Sequence, residues 1–280
     1  MNVAITGASG FLGRALSERL RASGRSVTAI SLRTQAPPES FAGCQAVVHL
    51  AGEPVAQRWT ASARDRILNS RIQGTRSLVA GLRKHPPAVL VSASAVGYYG
   101  SRGDEILTED SPPSSDFLGE LAVAWEREAR AAEQFRVRVV TPRIGVVLGP
   151  DGGALGQMLL PFRLGAVGRL GTGEQWMSWI ALDDLVSLIE FAIANTALSG
   201  AVNAVAPNPV TNADFTRALA KALHRPAIFP VPAFALKILF GEMSQILLGG
   251  QRVIPQAALR AHFQFRFARL SEALRQSIPG

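Results

Sequence analysis

Apolar positions along the first half of the chain fall into two rhythms. Short continuous runs, NVAIT, SVTAIS, AVVHLA, AVLVSAS and VRVVTP, show little polar alternation, as expected of strands covered on both faces of a parallel sheet. Between the first two runs, Leu12, Leu16 and Leu20 repeat every four residues, which predicts a helix stopped by Gly24. Further on, Leu118, Leu121, Ala122, Trp125 and Ala129 form a second helical stripe with Asp116 as its N-cap. Strands spaced widely enough for a helix or long loop between them predict an α/β fold, a doubly wound parallel Rossmann sheet.

Past residue 150 the rhythm changes: GPDGGALG and GRLGTGE are glycine-rich, and proline punctuates 207–232. The expected division is a dinucleotide-binding core at 1–205, with 151–175 looping towards a cleft, and a smaller C-terminal α/β lobe at 206–280. Residues 228–249 approach membrane-spanning length, but Pro230, Pro232, Lys237, Gly241 and Glu242 interrupt them. A buried or groove-lining helix is expected there, and no membrane contact.

Composition narrows the chemistry. The 29 basic and 21 acidic residues leave a net charge of +8, carried almost wholly by scattered arginines with no run that would track nucleic acid. A preference for anionic ligands such as phosphates is the inference. The single Cys44 makes no internal disulfide and no multi-cysteine site, and no His-x-x-x-His or carboxylate cluster occurs, so no metal is expected. The opening MNVAITG has no basic leader, consistent with a cytoplasmic protein.

TGASGFLG, residues 6–13, stands between the first strand and the first helix. Gly7 permits the tight turn, Gly10 the approach of a pyrophosphate and Gly13 close helix–strand packing, with Ser9, Phe11 and Leu12 completing the loop and first helical turn. No Asp or Glu lies between Glu18 and Glu39 to grip a ribose 2′-hydroxyl; Ser31 and Arg33 follow the second strand instead, which favours NADP(H). Leu50, Ala51 and Gly52 end the third run with residues suited to line the adenosine-ribose side, while His49 reads as a packed, hydrogen-bonded histidine.

TGASGFLG, HLAG, SASAVGYYG and RIGVVLGP, in this order, resemble the extended short-chain dehydrogenase/reductase superfamily. More narrowly, HLAGEPVAQRW, SRIQGTR, the WE of VAWEREA, MSWIALDDL and GQRVIPQAAL resemble its nucleoside-diphosphate-sugar epimerase-like subgroup across nearly the whole chain. The resemblance implies a Rossmann fold, a nicotinamide cofactor and a small-molecule substrate, with nucleotide sugars among the candidates and a homodimer as the superfamily's habit. It places Ile144 and Val147 by the nicotinamide, Met158, Phe162, Arg163 and Trp176 near the substrate, and Ser94 in the catalytic serine's position, with Tyr98 and Tyr99 close behind.

Two departures matter. The superfamily's proton-transferring tyrosine and the lysine four residues on are replaced by Phe117 and Leu121; neither Tyr98 nor Tyr99 is followed by a lysine, the residues four on being Arg102 and Gly103. Arg71 stands where relatives usually carry asparagine, bringing a cation towards cofactor or substrate. The expected activity is NADP-dependent oxidoreductase or epimerase-like chemistry on a carbonyl or alcohol, with Ser94, Tyr98 and Tyr99 as catalytic candidates. The competing reading is a non-catalytic NADP(H)-binding regulator, redox-sensing or division-related.

Overall fold

A computed structural model describes residues 1–32, 37–150, 152–165 and 168–278. Strand β1 (Asn2–Thr6) turns into α1 (Phe11–Ala22), which stops before Gly24 at φ +74°. β2 (Ser26–Ile30), β3 (Ala46–His49), α2 (Ala61–Leu82) and β4 (Val89–Ser92) follow. The short β5 (Ser94–Ala95) and β6 (Ile106–Leu107) precede α3 (Phe117–Arg130), β7 (Arg138–Ile144) and β8 (Val146–Gly149). Next come α4 (Gly153–Arg163), β9 (Trp176–Met177), β10 (Trp179–Ala181), α5 (Leu182–Ala194) and β11 (Gly200–Ala204). The remainder holds β12 (Val210–Thr211), α6 (Asn212–Ala222), α7 (Ala233–Phe240), α8 (Ser244–Leu248), β13 (Arg252–Val253), α9 (Gln256–Arg260) and α10 (Leu270–Ser277).

The main sheet is parallel, in the order β2-β1-β3-β4-β7-β11, with β5 paired to β7. Alternate residues of each strand serve opposite layers. Val3, Ile5, Val48 and Val91 pack with Leu16, Leu20, Leu185 and Ile189 of α1 and α5. Ala4, Val47, Leu90 and Val139 pack with Leu78, Leu82 and Ala129 of α2 and α3. Burial on both faces is why the strands read as continuous apolar runs. From β1 the chain steps out to β2 and then returns to β3 on the other side, so the winding reverses between β1 and β3. Ligands of open α/β sheets bind above the carboxyl ends of strands at such a reversal.

Helix α3 begins as its sequence predicts, with the Asp116 carboxylate accepting from the Gly119 N–H at 2.8 Å. The C-terminal FQFRF block is tied to α5 by the buried Asp184, whose two carboxylate oxygens accept from the Arg266 and Phe267 backbone N–H groups.

Two expectations are corrected. Residues 151–175 are not all loop, because α4 occupies Gly153–Arg163. Leu155, Leu159 and Phe162 lie on its inner side against Trp179 and Phe215, a helical spacing masked in sequence by Gly152, Gly153 and Gly156. Met158 joins the same cluster, whereas Arg163 is exposed. Nor is 228–249 one helix: α7 stops at Gly241 (φ +59°), buries Leu236 and leaves Phe234, Ile238 and Leu239 at least 64% exposed, so the buried alternative fails, while Lys237, Gln245 and Ile246 do line a cavity. Among the described residues no helix is long and apolar enough to cross a membrane.

Candidate active site

The glycine loop closes on the end of β3. Gly7 takes φ +73°, and a Cβ there would stand 2.8 Å from the Ala51 nitrogen and 2.9 Å from the Leu50 carbonyl carbon. A Cβ on Gly13 would lie 2.1 Å from the Gly7 oxygen, so helix α1 approaches the turn as only glycine allows. Gly10 donates to the Gly7 carbonyl at 3.0 Å and caps α1 without a side chain, and the first turn contains no acid. The helix's leading N–H groups thus face the crevice beside exposed Ser9 and Gly10, the arrangement that receives a phosphate. This space and donor set fit a dinucleotide's pyrophosphate. The Phe11 ring packs against the positions of Gly149, Gly152 and Gly153, joining the β8 loop to the cradle.

The other cofactor candidates fall around the same crevice in part. Leu12, Leu50, Ile144 and Val147 are partly buried against the main core, and Ile144 ends β7 beside Ala204 of β11. Arg71 rises from α2 to lie over Gly52. Ser31 follows β2, while Arg33 lies outside the described residues.

His49 is part of the scaffold beneath this crevice. Its Nδ1 meets the Thr6 hydroxyl at 2.6 Å and its Nε2 the Thr75 hydroxyl at 2.9 Å, linking β1, β3 and α2. Burial, helped by the charge of Arg71, lowers its pKa from 6.5 to about 4, so the folded protein holds it neutral. The unfolded chain therefore binds the extra proton between these values: this contribution is full above pH 6.5 and is lost as pH falls towards about 4. We expect it to amount to roughly 3 kcal/mol. Urea unfolding at several pH values should show the wild type losing stability over this window and His49→Gln losing distinctly less. Parallel decline of the two proteins would contradict the assignment.

SASAVGYYG feeds a buried polar network. Ser94 donates its hydroxyl to Glu126 Oε1 at 2.7 Å. Arg143 grips the same carboxylate with two nitrogens, Nε at 2.8 Å and Nη2 at 2.9 Å, and donates to the Tyr99 hydroxyl from Nη1 at 2.9 Å. Tyr99 in turn donates to Asn203 Oδ1 at 2.6 Å. Its ring is fully buried and its pKa is pushed up to about 12, chiefly by burial. Tyr98, only partly buried, lies face-on to the Arg143 guanidinium, 3.4 Å from ring centroid to carbon. Burial alone would lower the Arg143 pKa, but the hydrogen bonds and charge of Glu126 more than offset it. Glu109 completes the network through its side chain, accepting from the Asn203 and Ala257 N–H groups.

Sequence reading missed Glu126, Arg143, Asn203 and Glu109. One signal was present: Arg143 is a lone charge near the end of an otherwise apolar strand stretch, VVTPRIGVV, and a buried charge needs a partner.

At the position of the superfamily's tyrosine, Phe117 stands edge-on to Trp59 at 5.2 Å and carries the Arg64 guanidinium over its ring. Leu121, in the lysine's position, is buried in the same apolar cluster. Phe117, Trp59 and Leu118 form one wall of a cavity of about 400 Å³; Lys237, Gln245 and Ile246, from α7 and α8, form another. Trp176 lies outside this lining, stacked on Arg252 and donating to Asp104.

The match to known families follows this geometry. The model of the NAD dependent epimerase/dehydratase family matches residues 3–205, the segment that holds the cradle and the whole parallel sheet. The chain belongs to that family. A domain of unknown function (DUF1731) matches residues 231–277 of this epimerase-family chain. The chloroplastic epimerase family protein SDR39U1 homolog of Arabidopsis thaliana is 40% identical over 98% of this chain and 86% of its own length. A crystal structure of the human epimerase family protein SDR39U1 (isoform 2) with NADPH superposes at a TM-score of 0.90, with 36% identity and 99% coverage of both chains. UDP-glucuronic acid 4-epimerase from Bacillus cereus, crystallised with UDP-glucuronic acid and NAD, shares the fold at a TM-score of 0.81 and 17% identity, covering 99% of this chain and 98% of its own.

Proposed function

We propose that this chain binds NADP(H) across the crevice between β1 and β3 and transfers hydride between it and a small carbonyl or alcohol substrate in the cytoplasm. The observation that carries this reading is the glycine cradle, in which Gly7 and Gly13 leave no room for a side chain and α1 points its free N–H groups at the space. The human relative crystallised with NADPH supports the choice of dinucleotide. The bound cofactor would supply the hydride; the protein's own residues would hold the partners and handle the proton.

Apolar Ile144 and Val147 would shelter the reacting face. Ser94 has its proton committed to Glu126, so it presents lone pairs and accepts from a substrate hydroxyl rather than polarising a carbonyl. Tyr99 is locked between Arg143 and Asn203 and serves to position them. Tyr98 retains exposed surface, and we assign it the proton. The cavity beside Phe117 would take the substrate, nucleotide sugars being one class to try, since UDP-glucuronic acid occupies a protein of the same fold.

Loss of both titratable side chains at Phe117 and Leu121 favours the second reading, a non-catalytic NADP(H)-binding regulator. The two separate in a turnover screen that follows NADPH absorbance with aldehydes, ketones and nucleotide sugars. The catalytic reading predicts turnover on at least one compound, with Tyr98→Phe lowering kcat about 100-fold. Tight NADPH binding with silence across the panel supports the regulator, and full turnover by Tyr98→Phe removes the proton from that residue.

A further inference from the structure

Lys237 stands at the border of two surfaces. It is the single cation among the residues that line the cavity beside Phe117. It also lies at the edge of the outward face of α7. Leu236 is buried on the inner side, whereas Phe234, three residues before Lys237, and Ile238, directly after it, are 67% and 70% exposed. Among the described residues no salt bridge or hydrogen bond engages the Lys237 ammonium. The one carboxylate lining the cavity, Asp116, is spent on the Gly119 N–H at the start of α3. Trp59, Phe117, Leu118, Ile246 and Leu248 make much of the remaining wall apolar. Ile246 is itself 42% exposed, so the apolar lining continues out to solvent.

The apolar surface extends beyond α7. Ile228 and Phe229, in the segment leading into it, are both exposed. That segment is held against residues 168–171, because Val231 makes backbone hydrogen bonds of 2.9 Å to Arg169 and Gly171. At its start Pro226 lies 3.9 Å from where a Gly165 Cβ would stand, just after the exposed Leu160 and Leu164 of α4. Soluble monomers seldom leave so large an apolar surface open unless something binds there. The charge around it has one sign: Arg163, Arg169, Arg225 and Lys237 belong to these segments, and neither 152–173 nor 215–241 contains an Asp or Glu. Two copies meeting here would oppose like charges, whereas an anion is complementary. Nor can a folded partner follow the surface into the cavity beside Phe117, as a chain molecule can.

We propose that the cavity and α7 together bind an anionic amphiphile: a long-chain carbonyl compound or alcohol whose anionic group pairs with Lys237, whose polar end enters the cavity and whose apolar chain lies along Phe234 and Ile238. The inference rests on the NADP(H) reading and gives it a substrate class. The eight residues of α7 extend about 12 Å, a span that suits an alkyl chain.

The test is calorimetric titration of the full chain with dodecanoate below its micelle concentration. Octanoate, with a shorter chain, and dodecyltrimethylammonium, with the opposite charge, are the comparison probes. The wild type is expected to bind dodecanoate at least about tenfold more tightly than either. Lys237→Glu and, separately, Ile238→Asn should each weaken dodecanoate by about tenfold or more and leave NADPH affinity unchanged within about twofold. Both positions are exposed, so these variants keep the fold. Leu259→Ser, at an exposed leucine of α9, is the control and should bind dodecanoate as the wild type does. Equal binding of the anionic and cationic probes overturns the proposal, as do variants that bind like the wild type. A wild type that is dimeric by sedimentation, becomes monomeric as Ile238→Asn and ignores dodecanoate would make the face a contact between copies. Cosedimentation with phosphatidylglycerol vesicles, without binding of monomeric dodecanoate, would overturn it in favour of a membrane surface. A wild type that binds NADPH but not dodecanoate refutes this inference alone. One that binds dodecanoate but not NADPH refutes the NADP(H) reading and the substrate role with it, and one that binds neither refutes both.

Discussion

Glu126→Ala should destabilise the protein by about 3–5 kcal/mol, the cost typical of leaving a buried charge without its partner. Arg143 is 4% exposed and spends three of its nitrogens on Glu126 and Tyr99, so removal of the carboxylate strands a guanidinium beneath the sheet's carboxyl end. The Ser94 hydroxyl loses its acceptor in the same step. For a chain of this size the loss corresponds to a melting temperature lower by roughly 10 °C. Pairing it with Arg143→Met should recover much of the stability, since an apolar pair avoids the stranded charge. Thermal denaturation of the two single variants and the double variant measures this. A fall below about 1 kcal/mol for Glu126→Ala would mean that the ion pair is solvated like a surface bridge.

Gly13→Ala should cripple the cradle. Its new methyl would stand 2.1 Å from the Gly7 oxygen and 2.7 Å from the Ala8 Cα, both main-chain atoms that cannot rotate aside. Relief requires α1 to move off β1, at a strain of about 1–3 kcal/mol, and that movement displaces the N–H groups aimed at the phosphates. NADPH affinity is expected to drop on the order of 100-fold, measured by titration of folded protein. Gly74→Ala is the matched control: the position is helical and open, with nothing within 4 Å of the new methyl. It should leave affinity unchanged and raise stability by about 0.4–1 kcal/mol. Equal affinities for the Gly13 and Gly74 variants would contradict the cradle geometry.

How much of this was legible in the chain follows the range of each interaction. The sheet could be read because its central strands β1, β3, β4 and β7 bury both faces, leaving local apolar runs that need no knowledge of their neighbours. The cradle could be read because Gly7, Gly10 and Gly13 act within one turn, although the partner that makes Gly7 obligatory, Ala51, is distant in sequence. The network under SASAVGYYG joins Ser94, Tyr99, Glu109, Glu126, Arg143 and Asn203 from separate segments, so no spacing rule announces it. The mirror case is α7: its sequence is apolar enough to predict burial, yet Phe234, Ile238 and Leu239 face outward, because burial depends on what packs against a helix as well as on its residues. Phe117 and Leu121 could be read as an absence of the usual chemistry; only the fold shows that they have joined the wall and packing of a cavity.

The central claim is that the crevice between β1 and β3 is an NADP(H) site. Titration of the wild-type protein with NADPH and, separately, NADH, followed by quenching of its four tryptophans and by calorimetry, tests it most directly. NADPH is expected to bind at least tenfold more tightly than NADH, about 1.4 kcal/mol. A preference for NADH would contradict the reading of the segment after β2 as a 2′-phosphate site, and binding of neither would contradict the cofactor assignment as a whole.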